Sequence, residues 1–201
     1  MVADAIAVDL GAGSGRVIRG SFHDDGFRME VLHRFPNATR ESEGSLRWDT
    51  AGLFREIKTG LKKAGSSIAS IGVDTWGVDY ALLDSAGRLI EEPFCYRDHR
   101  PDGMMEELFR IVPRSEIYRR TGIQFMPINT LCQLFAHRRS GKWPGGAARF
   151  LMMPDYVHYL LTGEAVGEYT IATTSQMVSA RDRQWDRELL SRLDLPMEIL
   201  P

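Results

Sequence analysis

The stretch AVDLGAGSGR, Ala7 to Arg16, constrains the fold more than any other part of the chain. Ala5 to Leu10 is an apolar run with the pattern of a buried strand, and a series of small residues, Gly11, Ala12, Gly13, Ser14 and Gly15, stops it at once. Two more strand patterns follow, Arg16 to Phe22 and Phe27 to Phe35, with His23 to Gly26 as a polar loop between them, so an antiparallel meander is expected. Asp49 or Thr50 then reads as the N-cap of a helix to about Ala64, because Leu53, Phe54, Ile57 and Leu61 recur at helical spacing. Ala69 to Val73 resumes the strand pattern. Hairpin-paired strands beside a parallel pair predict an α/β fold with a mixed central sheet and helices on both of its faces.

The second half is more helical. Tyr80 to Asp84 reads as a short strand, turning at Ser85 to Gly87 before Arg88 to Ile90. Met104 to Ile111, Ser115 to Arg120 and Thr130 to Arg139 carry helical spacing, and the Gly- and Pro-bearing loop Gly141 to Gly146 breaks the pattern. Phe150 to Met153 reads as a strand and Pro154 to Leu161 as a helix closed by Gly163. With 201 residues, 43% of them hydrophobic, the chain can bury a substantial core. A formal net charge of -2 leaves no basic stripe for nucleic acid or an anionic membrane. Cys95 and Cys132 lie far apart and read as buried thiols, and MVADAIAVDL has no basic region before its short apolar run, so a cytoplasmic protein is expected.

Three stretches carry candidate chemistry. Asp9 ends a strand and faces a loop, where α/β proteins expose functional groups on a rigid sheet. The amides from Gly11 to Gly15 can converge as an anion nest, with Arg16 adding charge. That set suits a polyphosphate with its Mg²⁺, Asp9 meeting the metal directly or through water; a plain hairpin turn capped by Asp9 accounts for the same residues, and the loop is neither Walker A nor GxGxxG. In GVDTWGVDY, Trp76 and Gly77 offer an apolar wall and an open backbone, with Asp74 and Asp79 as acceptors for sugar hydroxyls; a core Trp between turn acids is the alternative. Arg97, Asp98, His99, Arg100 and Asp102 read as a mutually paired surface loop, and no His lies at metal-ligand spacing from a second His or Cys.

Taken in order, AVDLGAGSGRV, LRWDT, SIGVDTWGVDYALLD, YRDHR, TGIQFMPINTL, LMMPDYVHYLLTGE and EYTIATTSQ resemble the N-terminal domain of the FGGY carbohydrate kinases, within them most closely the rhamnulokinase branch. The resemblance runs from about Ala5 to the region of Trp185. It implies an actin-like, ribonuclease H-like lobe, with ATP and a ketose meeting in a cleft against a second lobe. It assigns Asp9 to the Mg²⁺ side, Ala12, Gly13, Ser14, Gly15 and Arg16 to the ATP phosphates, and Gly77 to the ketose, with Trp76, Asp79, Arg97 and Asn129 as further sugar neighbours. Asp155 and Tyr156 open a signature whose task is structural. The catalytic Asp belongs to a later HDT-type motif, so residues 1–201 are expected to form the sugar-binding lobe, inactive alone and prone to self-association. A stand-alone binding or regulatory module and a lobe of a xylulokinase-like or fuculokinase-like enzyme are the alternatives.

Overall fold

A computed structural model describes residues 4–201; Met1 to Ala3, part of the stretch read above for a leader, lie outside them. The strand β1 (Asp4–Leu10) is one of the two inner strands of a four-stranded sheet. It pairs antiparallel with β2 (Ser14–His23), which pairs with β3 (Gly26–Pro36), as the meander predicted. A short hairpin of β4 (Thr39–Ser42) and β5 (Ser45–Trp48) precedes the helix α1 (Thr50–Ala64). Then β6 (Ile68–Thr75) returns parallel to β1, giving the mixed order β3-β2-β1-β6. Asp49 is the N-cap of α1: its Oδ1 accepts the Gly52 N–H at 3.0 Å.

The pleat sorts β1 cleanly. Ile6, Val8 and Leu10 are buried with Leu53 and Ile57 of α1, each full burial contributing about 1.5–3 kcal/mol. Ala5 and Ala7 point to the opposite face and are exposed. The register extends this face through Ile18 and Val31 to the exposed Phe22, Phe27 and Met29. The expectation of helices on both faces is therefore met on one face of this sheet; among the described residues the other stays open.

The rest of the chain packs around a second core. A two-stranded ladder, β7 (Tyr80–Leu83) with β8 (Arg149–Met152), is antiparallel. The helices α2 (Met104–Ile111), α3 (Arg114–Thr121) and α4 (Thr130–Arg139) lie within a residue or so of their predicted bounds. Leu108, Ile117, Leu131, Phe135 and Phe150 share one apolar cluster with Leu189 and Leu190. The helix α5 (Met153–Thr162) ends at Gly163, which takes φ 80° as a left-handed C-terminal residue must. Its Val157 joins the core under β1, tying the two halves together. Short helices α6 (Tyr169–Thr173) and α7 (Arg187–Arg192) complete the chain, capped by Glu168 and Asp186. Cys95 and Cys132 are free and buried, and burial pushes both thiols up to about 11, so neither is a nucleophile at neutral pH. No helix among the described residues is long and apolar enough to cross a membrane.

Candidate functional site

The parallel strands β1 and β6 end side by side, with Asp9 in register with Asp74. Asp9 is partly exposed and its Oδ2 lies 3.6 Å from Arg16 Nη1, the residue opposite it on β2. Between them the small-residue turn closes by the Gly11 N–H donating to Ser14 O at 2.9 Å. Asn37 clamps it from β3's end, its Nδ2 donating to Gly11 O at 2.9 Å and its N–H to Gly13 O at 3.2 Å. Among the described residues no bond of the turn uses the N–H of Ala12 or Gly13, so both amides could donate to a ligand. The glycines divide by task. A Cβ on Gly15 would run into the Phe35 ring, so that position serves packing, whereas Gly13 has open space around it.

The second stretch is the turn after β6. The Trp76 N–H donates to Leu10 O at 3.1 Å, placing the turn against the end of β1. Val78 takes φ 68°, strained for a β-branched residue, and is held by Thr130 Oγ1 donating to its carbonyl at 2.7 Å. A Cβ on Gly77 would sit 3.2 Å from Thr174 Oγ1, so the close approach of the segment following α6 favours glycine. Arg97 reaches the small-residue turn from a third segment: its Nη2 donates to Ala12 O at 3.4 Å. Asp9, Ala12 to Arg16, Trp76, Gly77 and Arg97 are thus brought to one end of the sheet.

Asp79 and Asn129 go elsewhere. Asp79 is 0% exposed, and its Oδ2 accepts N–H bonds from Trp48 Nε1 at 2.7 Å, Trp76 Nε1 at 2.9 Å and Tyr96 N at 3.1 Å. Its Oδ1 accepts from Gln133 Nε2 at 2.9 Å. Burial raises its pKa, and the four donors oppose that rise. Asn129 is equally enclosed, its Nδ2 donating to Gln124 O at 2.7 Å and Gln176 Oε1 at 3.1 Å. Both residues act as supports behind the surface. The loop at 97–102 departs from the surface-pair expectation in part: His99 and Asp102 are exposed, but Asp98 is buried, binding Leu46 N–H at 2.7 Å and Arg100 Nε at 2.6 Å. Its backbone partner on β5 draws it inward.

Asp155 is buried in the first turn of α5, where it accepts the Glu168 N–H at 3.2 Å, and burial pushes its carboxyl up to about 6. Tyr156 beside it packs with Leu83 and Leu151, in keeping with a structural signature. Trp48 and Thr174 lie in the matched stretches LRWDT and EYTIATTSQ but were given no role there, and Gln133 lies in no motif; only the fold brings the three to the turn. For a divalent cation the donor set is sparse. Among the described residues no group of three or more His, Cys, Asp and Glu is placed to hold a metal. Hard oxygen donors from Asp9, with Asp74 beside it, fit Mg²⁺, which keeps most of its waters and binds chiefly through phosphate.

The model of the FGGY family of carbohydrate kinases, N-terminal domain, matches residues 5–201. The chain belongs to this family. This FGGY domain is 47% identical over 196 residues to a rhamnulokinase of Bacteroides thetaiotaomicron, covering 96% of this chain and 40% of that relative. Against a rhamnulokinase of Halalkalibacterium halodurans it is 44% identical over 193 residues, 94% of this chain and 41% of the relative. The chain therefore spans about two fifths of these relatives' length. Among solved structures, gluconate kinase from Lactobacillus acidophilus superposes with a TM-score of 0.85 at 18% identity, over 100% of this chain and 42% of that one. That likeness is one of fold: actin-like and ribonuclease H-like, a mixed sheet flanked by helices.

Proposed function

We propose that this chain is the sugar-binding lobe of an ATP-dependent ketose kinase that phosphorylates the primary hydroxyl of L-rhamnulose. The observation that carries the reading is the Trp76 backbone N–H bond to Leu10 O at 3.1 Å, which seats the sugar-side turn beside the phosphate-side turn at the end of one sheet. The 44–47% identity to rhamnulokinases over nearly the whole chain supports L-rhamnulose over other ketoses. In this reading the free amides of Ala12 and Gly13, the Ser14 hydroxyl and Arg16 bind the phosphates, with Gly15 holding the turn closed. Gly77, Trp76 and Arg97 meet the ketose, and Asp79 and Asn129 fix the backbone behind them. Asp9 would hold Mg²⁺ through water, and the bound ion supplies charge neutralisation at the phosphoryl oxygens.

The proton of the sugar hydroxyl passes to an Asp of the second lobe, so this chain binds and orients but does not turn over. A cytoplasmic site goes with the use of ATP. The exposed row Phe22, Phe27, Met29 and Val31 supports self-association of the isolated chain, visible by light scattering. The test of function is an ADP-release assay on the purified chain with MgATP and L-rhamnulose, run beside calorimetric titration with L-rhamnulose, D-xylulose and L-fuculose. Saturable binding that favours L-rhamnulose, without sugar-dependent ADP release, is expected. Turnover at a rate typical of kinases, about 1–100 per second, refutes the lobe assignment; a preference for D-xylulose or L-fuculose refutes the choice of sugar.

A further inference from the structure

Trp76 is the large apolar side chain of the proposed sugar-side cluster; Gly77 offers backbone and Arg97 offers charge. The indole of Trp76 has one polar atom, and that N–H is donated to Asp79 Oδ2 at 2.9 Å. Trp48 donates its own N–H to the same oxygen at 2.7 Å, and the two ring centroids lie 4.2 Å apart at 39°. Asp79 thus takes up both indole donors and fixes the plane of Trp76 against a fully buried neighbour. The half-buried Trp76 packs against two apolar clusters, and the part of its ring that stays accessible is carbon with no spare hydrogen-bonding atom.

We propose that the Trp48–Asp79–Trp76 unit sets sugar specificity, holding Trp76 as a donor-free carbon wall that receives the methyl end of a 6-deoxyketose. The proposal deepens the L-rhamnulose reading and rests on it. A methyl group gains dispersion contacts on such a wall, whereas a hydroxyl in the same place gives up water without finding a partner. Apolar sites discriminate against an added hydroxyl by no more than about a hundredfold. Trp48 and Asp79 are positioning residues: they act through Trp76 and touch no sugar.

The test is calorimetric titration of the 201-residue chain with L-rhamnulose and with L-fructose, which differ only in the hydroxyl on C6. L-Rhamnulose should bind about 10–100-fold more tightly. Trp76→Phe, which keeps a donor-free ring, should retain that preference. Trp76→His, which puts a free ring nitrogen on the wall, should cut it to about threefold or less. A merely structural Trp76 would weaken both ketoses together and leave their ratio unchanged. Equal affinity of the two ketoses for the wild-type chain overturns the proposal and leaves the sugar reading standing. Binding of neither overturns both. Should Trp76→His fail to fold by thermal melt, equal affinities in the wild type or loss of the preference in Trp76→Phe still overturns the proposal.

Discussion

The phosphate-side turn and the Asp79 hub lie within one sheet end and are built in opposite ways. At the turn, Asp9 and Arg16 face each other at 3.6 Å with 42% and 45% of their side chains exposed, and the Asn37 clamp holds the backbone. The hub turns inward: one carboxylate with 0% exposure collects four N–H donors from β5, β6's turn, the Tyr96 segment and α4. The first region keeps its functional groups available to a ligand and contributes little to folding. In the proposed reading the second backs the wall on which the sugar rests, and its carboxylate is satisfied internally.

This contrast predicts effects that descend in size. Asp79→Ala takes the acceptor from the buried Trp48 indole, from the part-buried Trp76 indole and Tyr96 N–H, and from Gln133, which keeps Ile128 O; at about 1–3 kcal/mol for each donor left unsatisfied, urea unfolding should show a loss of at least about 3 kcal/mol. A loss under about 1 kcal/mol would remove the distinction between the regions. Asp155 comes next. Its folded carboxyl stands at about 6 against 3.8 for the ordinary residue, so the folded state holds the proton more tightly. Its favourable contribution is complete below pH 4, falls as pH rises, and is gone once pH has passed through about 6. Asp155→Asn keeps an acceptor for the Glu168 N–H and should gain about 1–2 kcal/mol at pH 7.5, a gain that vanishes near pH 4 in parallel melts.

Gly77→Ala places a Cβ against Thr174 and shifts the sugar-side turn slightly. About 1 kcal/mol of stability and about a tenfold loss of L-rhamnulose affinity are expected by melt and titration. Smallest is Arg16→Ala, which breaks only a half-exposed pair: stability should stay within about 0.5 kcal/mol while nucleotide binding weakens. An unfolding change of several kcal/mol there would mean that the phosphate side is as structural as the hub.

The same contrast explains what could be read from the sequence. The meander, α1 and the turn at Gly11–Gly15 rest on local periodicity and short-range caps such as Asp49, so they were legible residue by residue. The β4–β5 hairpin was not, because Thr39–Ser42 and Ser45–Trp48 are mostly polar and turn through Glu43 and Gly44 at positive φ. Five- and six-residue helices such as α6 and α7 owe their form to Glu168 and Asp186 caps and to neighbours far along the chain. Asp79 reads locally as a turn acid beside Trp and Gly, hence its assignment to the sugar. Its inward direction is set by Trp48 and Gln133, which are 31 and 54 residues away. The family resemblance supplied the site as a group; the separation into accessible and enclosed residues came from the fold.

The separability of the two regions is tested most directly by thermal shift of the wild-type chain and Asp9→Asn, each with MgATP alone and with L-rhamnulose alone. Asp9→Asn should lose the MgATP shift and keep the full L-rhamnulose shift at an unchanged ligand-free melting temperature. Loss of both shifts together, or a collapse of the ligand-free melting temperature, would contradict a phosphate side that stands apart from the buried hub.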